Sequence, residues 1–195
     1  RSLAAYYGYR HLDTGLLYRA VAKAVLDAGK TGADTAAAIS AARQFDLAQL
    51  SDPALKTDAI GNIASVVSAI PEVRSALIEF QQRFAGQRPG TVLDGRDIGT
   101  VIAPQAEVKI FLTASPEERA RRRFKEAQAR GEKPDLLTIL ADIKKRDDRD
   151  ANRAVAPFKP ASDAHLLDTT QLDIDAAIRA AIDIVEATRT GRGRG

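Results

Sequence analysis

The stretch Leu93-Asp94-Gly95-Arg96-Asp97-Ile98-Gly99 constrains the fold most tightly. An apolar run, Thr91-Val92-Leu93, leads into it, and a second, Thr100-Val101-Ile102, follows it. Two aspartates and an arginine thus emerge where a buried strand ends. Charges in such a place must be paired or face a ligand. Glycine tolerates tight turns and close backbone approach. In open α/β sheets, ligands bind beyond the carboxyl ends of the strands. The stretch therefore reads either as a polar ligand reader at a strand end or as a loop with an internal ion pair.

The flanking pattern favours an α/β domain with a parallel sheet and flanking helices. Residues 1–7 read as a helix tail closed by Gly8. A short strand is expected at residues 9–13, then a helix over 15–28 with Thr14 as its N-cap and Gly29 as its stop. Leu16, Leu17, Ala20, Val21, Ala24, Val25 and Ala28 give that helix one apolar face. Helices are expected near residues 35–45 and 56–69, with another opening at Pro71. No strand pattern occupies residues 47–57. Residues 30–88 thus read as a helical lobe inserted into a core formed by 1–29 and 89–195. A second strand is expected at 107–112. Ser115-Pro116-Glu117-Glu118 reads as a capping box opening the next helix. Asp135 would cap a helix to about residue 154. A last strand at 164–167 and a last helix at 174–188 complete the pattern, which predicts a sheet covered on both faces.

Length and composition suit one domain of 195 residues, 45% hydrophobic and 28% charged. No run approaches the roughly 18 apolar residues of a membrane span. With no cysteine, disulfides and thiolate metal sites are excluded, and two histidines, His11 and His165, are too few for a histidine metal site. Both read as structural, and Tyr6, Tyr7 and Tyr9 as packing residues. No methionine occurs, so further sequence is expected upstream of Arg1. Arginine outnumbers lysine about two to one. Its planar fork suits phosphate and carboxylate.

Two charge runs need separate readings. Over residues 144–153 the apolar stripe Leu136, Ile139, Leu140 and Ile143 places Arg146, Asp150 and Arg153 beside the core face, at about 100° per residue. Lys145 and Asp148 point away. Inward charges imply partners or a polyanionic ligand. The run from Arg119 to Lys125 could suit nucleic acid. Residues 117–153, however, hold 12 basic and 9 acidic side chains and a single aromatic, Phe124, so nucleic-acid binding is not expected.

Four segments then align in order: Leu12-Asp13-Thr14-Gly15-x-x-Tyr18-Arg19; Asp94-Gly95-Arg96-Asp97-x-Gly99-Thr100-Val101; Lys109-Ile110-Phe111-Leu112 before an Arg-rich helix; and Arg146-Asp147-Asp148-Arg149-Asp150-x-Asn152-Arg153-x-x-x-Pro157. Together they resemble the bacterial cytidylate kinases, nucleoside-monophosphate kinases that phosphorylate CMP and dCMP. The resemblance implies an α/β fold of the P-loop nucleoside-monophosphate kinase type, with a monophosphate lobe at 30–88 and a lid at 117–153. It implies ATP as donor, Mg²⁺ with the ATP, nucleotide partners only, no membrane, a monomer and a cytoplasmic location. It places Thr14, Ser65, Arg74 and Asp97 around the cytosine, whose amine needs an acceptor. Arg19, Arg96 and Arg153 would hold the acceptor phosphate. Tyr18, Arg146 and Asp150 would sit near the ribose or the moving phosphoryl group. Arg96, Arg146, Arg153 and Asp150 are the expected catalytic group, and Arg122 and Arg123 would reach the donor phosphates.

Two departures accompany the resemblance. No G-x-x-x-x-G-K-[ST] loop occurs in these 195 residues. A chain lacking that loop is expected to bind CMP but to turn over little. The lobe also reads as a short version, without strands. The alternatives are a kinase for another monophosphate such as UMP, and a non-catalytic nucleotide-binding fragment.

Overall fold

The computed structural model describes residues 1–152 and 154–192. Four short strands form two parallel pairs. Strand β1 (Arg10–Asp13) pairs with β2 (Thr91–Asp94) in a register that sets Asp13 opposite Asp94. Strand β3 (Ile110–Thr113) pairs with β4 (His165–Asp168). Parallel neighbours require long crossovers, and the helices supply them. Helix α1 (Ser2–Tyr7) closes at Gly8, whose φ of 66° suits a residue without a Cβ. Helix α2 (Thr14–Asp27) follows β1 directly. Helices α3 (Thr35–Arg43), α4 (Asp58–Val67) and α5 (Pro71–Ala85) fill the segment before β2, with 3-10 turns at Leu47–Ser51 and Pro53–Lys56 where no strand is expected. Pro71 opens α5, and Gly86 ends it. Helices α6 (Pro116–Ala129) and α7 (Leu136–Asn152) lie between β3 and β4, and α8 (Ile174–Arg192) ends the described chain.

The main core lies in the helices. Leu17, Val21 and Val25 of α2 pack with Ala38, Ala42, Leu55, Ile60, Ala64, Val67, Val73 and Leu77. Most of α2's apolar face is therefore covered by α3, α4 and α5. A smaller cluster, Ala120 with Ile139 and Ile143, joins α6 to α7. Arg119 reinforces that joint with two bonds to Asp147, at 3.0 and 2.5 Å. Among the described residues no helix is long and apolar enough to cross a membrane.

Several expectations need correction. Asp13, not Thr14, caps α2, accepting from the Gly15 amide at 2.9 Å. Thr14 is already helical and donates instead to the Asp94 carbonyl at 2.8 Å. The apolar run at residues 100–102, given no element by the sequence, belongs to a π-helical turn, Ile98–Ile102. Half of the expected capping box forms: Ser115 Oγ accepts from the Glu118 amide, while the Ser115 amide bonds Thr170 and Glu118 pairs with Arg122. The sheet is not covered on both faces, since Leu112 and Leu166 are 59% and 69% exposed. Leu136, placed on the inward stripe of α7, is exposed as well, as is Tyr6. A period-based reading sees the helix face but not how far its partner extends.

Tyr7 and Tyr9 instead tie the two ends of the chain together. The Tyr7 hydroxyl donates to Glu186 at 2.6 Å, and Arg189 donates to Tyr9 Oη at 2.5 Å. Burial, then the Glu186 bond, push the Tyr7 phenol up to about 12.

Leu77 is almost wholly buried within the helical core. The Leu77→Ala change should lower unfolding stability by about 2–5 kcal/mol in urea titration. A loss under about 1 kcal/mol would show that this cluster is not close-packed.

Candidate functional site

The site begins where β1 and β2 end. The Thr14 bond to Asp94 stitches the two strand ends together. Gly95 permits it, because a methyl there would overlap Thr14 Oγ1. Asp13 and Asp94 share one register position. Burial, then the charge of Asp13, raise the Asp94 pKa above its ordinary range. His11 Nε2 lies 3.2 Å from Asp94 Oδ1.

The chain then turns, and Arg96 and Asp97 part company. Asp97, 5% exposed, forms an ion pair with Arg74 of α5, itself 6% exposed. Arg74 also donates to the Ser68 carbonyl at 3.2 Å, and its guanidinium lies 5.6 Å from the centre of the Tyr18 ring. Arg96 crosses to α7, where its Nε donates to Asp150 Oδ2 at 2.9 Å. Phe158 covers the Arg96 guanidinium at 4.9 Å. Ser65 of α4 donates to Asp150 Oδ1 at 2.9 Å. One buried carboxylate thus joins the loop after β2, the helix α4 and the helix α7.

Arg146 sits one turn before Asp150, 3.6 Å from Asp150 Oδ2. Its buried Nε has no hydrogen-bond partner, because 3.6 Å is too long for one. Burial, then the nearby charge of Arg96, push the Arg146 pKa down to about 10, with Arg123 and Arg19 adding to the repulsion. Burial and Arg123 likewise lower Arg19. Four guanidiniums therefore act on one another: Asp150 faces Arg96 and Arg146, while Asp58 faces Arg123 and, with Asp13, Arg19. Such an arrangement can stabilise an added anion carrying several charges.

Thr14, Tyr18, Ser65, Arg74, Arg96, Asp97, Arg146 and Asp150 all line one cleft of about 400 Å³, mouth included. Lys145 and Asp148 face outward, in agreement with the helical wheel. Arg19 stands behind the cleft wall, its Nη1 donating to the Leu55 and Thr57 carbonyls at 2.6 and 2.9 Å. Arg123 reaches towards Asp58 at 3.6 Å. Arg122 turns away, donating to Glu118, to the Thr169 hydroxyl and to the Thr169 and Leu172 carbonyls. Arg153 lies outside the described residues. Sequence reasoning missed Ser68 and Phe158. Ser68 lies three residues beyond Ser65, a spacing that places both on one helical face. Phe158 sits in irregular chain and left no periodic signal. A wider depression on α3, lined by Ala36, Ile39, Ser40, Arg43 and Gln44, gathers one charged side chain only and is a surface groove.

The sequence matches the family described as Cytidylate kinase over residues 1–187. The chain belongs to the cytidylate kinase family. It is 63% identical to the cytidylate kinase of Rhodopseudomonas palustris strain TIE-1 over 194 residues, covering 100% of this chain and 92% of that protein. It is 60% identical to the cytidylate kinases of Bradyrhizobium diazoefficiens, over 195 residues, and Nitrobacter winogradskyi, over 194, with the same coverage. Family membership agrees with a helix-rich α/β fold built on small parallel sheets.

Two outcomes follow from the charges of this cytidylate kinase site. Arg74→Ala would remove the guanidinium paired with the buried Asp97. The expected loss is about 3–5 kcal/mol in chemical denaturation, and a neutral result would mean that water already screens Asp97. Arg146 gives a pH dependence. Its folded pKa lies near 10, below the ordinary value of an unfolded arginine. Between those values the unfolded chain binds more protons, so this group makes stability rise with pH there. A bound phosphate would favour the charged guanidinium and lift its pKa. Phosphate-ester binding near pH 10 should therefore take up protons, read by calorimetry in buffers of different ionisation heat. Arg146→Met should abolish that uptake.

Proposed function

We propose that this chain catalyses phosphoryl transfer from ATP to CMP or dCMP, giving CDP or dCDP. The observation that carries the reading is the convergence of Arg19, Arg96, Arg123 and Arg146 beside a buried polar pocket formed by Ser65, Arg74 and Asp97. The first group suits phosphates, and the second suits a base. Its membership of the cytidylate kinase family and its relatives' names support the same reaction.

In this reading Thr14, Ser65, Arg74 and Asp97 surround the cytosine. Its exocyclic amine donates, and the Asp97 carboxylate accepts. Arg74 pairs with Asp97 and holds it in place. Uracil presents a carbonyl at that position and would set acceptor against acceptor. Arg19 and Arg96, with Arg153 on the strength of the resemblance, hold the acceptor phosphate. Tyr18, Arg146 and Asp150 lie near the ribose and the moving group. Arg122 and Arg123 are assigned to the donor side, and the position of Arg123 among the other guanidiniums supports its share more directly.

An oxygen of the acceptor phosphate attacks the γ-phosphorus of ATP. The bond from that phosphorus to the β–γ bridging oxygen breaks, and ADP leaves with the electron pair. A phosphate dianion needs no base to remove a proton. The protein's contribution is then alignment and neutralisation of charge on the equatorial oxygens. Asp150 fixes Arg96 directly and draws Arg146 towards the same point.

The family's reaction depends on ATP, and Mg²⁺ is assigned as its companion. Among the described residues no group of three or more metal-ligating side chains occurs. Asp13 and Asp94 nevertheless fit this ion, which commonly takes one or two carboxylates with water and substrate phosphates. Their shared register and the raised Asp94 pKa are the crowding that a divalent cation relieves. When bound, Mg²⁺ would neutralise charge on the donor phosphates.

Residues 30–88 are assigned as the monophosphate lobe, 117–153 as the lid, and 1–29 with 89–195 as the core. A monomer as the working unit and a cytoplasmic location are carried over from the resemblance to the family.

Calorimetric titration of the chain with CMP, dCMP and UMP tests the reading. CMP and dCMP should bind, and UMP should bind about 10–100-fold more weakly, the cost of unpaired acceptors. Equal affinity for CMP and UMP would remove Asp97 as the base reader.

A further inference from the structure

Helix α4 opens on an unusual knot. Thr57 precedes its first turn, and its side chain makes no capping bond. Its carbonyl accepts from the Gly61 amide at 3.1 Å, the first bond of the helix. The same carbonyl accepts from Arg19 Nη1 at 2.9 Å, and the Leu55 carbonyl accepts from that nitrogen at 2.6 Å. Arg19 arrives from α2, so two helices meet through one guanidinium. Gly61 lies directly beneath it. A Cβ on Gly61 would stand 2.7 Å from Arg19 Nη2, 3.1 Å from its Cζ and 3.2 Å from Nη1. Real carbon atoms do not approach so closely, so the planar cation rests against bare backbone.

The choice of residue has no local explanation. Gly61 lies inside a helix, where glycine is disfavoured relative to alanine. It is also buried, where a methyl would ordinarily add apolar contact. Both considerations favour alanine. Only the Arg19 guanidinium opposes it.

We infer that Gly61 is a positioning residue for the acceptor phosphate: the absent side chain lets Arg19 lie flat against α4, held by the Leu55 and Thr57 carbonyls at the depth from which it grips the phosphate. The inference rests on the reading of Arg19 as a phosphate ligand. Arg19 Nη1 is occupied by the two carbonyls, and this fixes the plane in which the remaining donors of the fork can present themselves. A methyl at Gly61 would push the fork off this seat. The displaced group is the tip of a flexible side chain, so the fold has no reason to yield.

The test is a double-mutant cycle on CMP binding, with thermal melting alongside. Gly61→Ala should weaken CMP by about tenfold or more, the scale of one charge-assisted phosphate contact, with a melting temperature unchanged or raised. Arg19→Ala should also weaken CMP. In the Arg19→Ala background, adding Gly61→Ala should change CMP affinity less than twofold, since the group it displaces is gone. If Arg19→Ala weakens CMP while Gly61→Ala does not, or if the two losses add in full, the positioning role is wrong and the phosphate reading of Arg19 stands. A lowered melting temperature for Gly61→Ala with full additivity would make the glycine a packing residue. If Arg19→Ala leaves CMP binding intact, the phosphate reading of Arg19 is itself wrong, and the inference falls with it.

Discussion

The buried carboxylate of Asp150 is the interaction on which the rest of the site depends. It is 3% exposed and takes hydrogen bonds from Ser65 and Arg96, with Arg146 close by. A buried ion survives only where good geometry offsets its desolvation. Here the partners come from the loop after β2, from α4 and from α7 itself, so that offset exists only when all three are assembled. Removing any one would leave a charge stranded. The same arithmetic leaves an excess. Asp150 alone faces both Arg96 and Arg146, and burial together with the charge of Arg96 depresses the Arg146 pKa. Strain of this kind is expected where a ligand supplies the missing charge.

Other contacts span the same interface. Arg149 donates to the Asn62 carbonyl at 3.3 Å, Asn62 to Asp142 at 3.4 Å, and Arg123 stands 3.6 Å from Asp58. These are long and partly solvated, and such pairs contribute little. By contrast, α2 holds α3, α4 and α5 through a continuous apolar cluster, and Arg119 fastens α6 to α7. The molecule therefore has two firm bodies with a weak polar seam between them, crossed by one strong knot at Asp150.

The sequence revealed the site better than the sheet. Aspartates and an arginine at the end of an apolar run could only be paired or ligand-facing, and Arg96 and Asp97 are paired, with Asp150 and Arg74, in the lining of one cleft. The helical wheel placed Arg146 and Asp150 on the inward side of α7, because a fixed angular period carries over to three dimensions. Ser65 and Arg74, separated by the break at Pro71, gave no local signal. The resemblance supplied them, and the fold brings both to one cleft. What remained hidden depended on tertiary partners. Thr14 and Asp13 are both good N-cap residues, and which of them caps α2 is decided by the Asp94 carbonyl across the strand pair. The exposure of Leu112 and Leu166 depends on what covers each face, and alternation along a strand cannot encode that. Arg122 and Arg123 are neighbours in sequence, yet the β4–α8 turn captures one and the cleft's field reaches the other.

Arginine rather than lysine follows from the same geometry. A lysine at position 19 could not bridge two carbonyls with one nitrogen while offering others in a fixed plane, because its three donors turn about a single atom. At position 96 the flat cation also lies under Phe158, where a compact, strongly hydrated ammonium would fit less well. Arg146 strengthens the case. A lysine, with a reference pKa about two units lower than arginine, would meet the same burial and the same neighbouring cations. Its pKa would then fall closer to the working range, and it would hold its charge less securely than arginine does. The arginine bias of the composition is thus in part a requirement of the cleft. Cations crowded together before the anion arrives stay charged only if their intrinsic affinity for the proton is high enough to withstand one another.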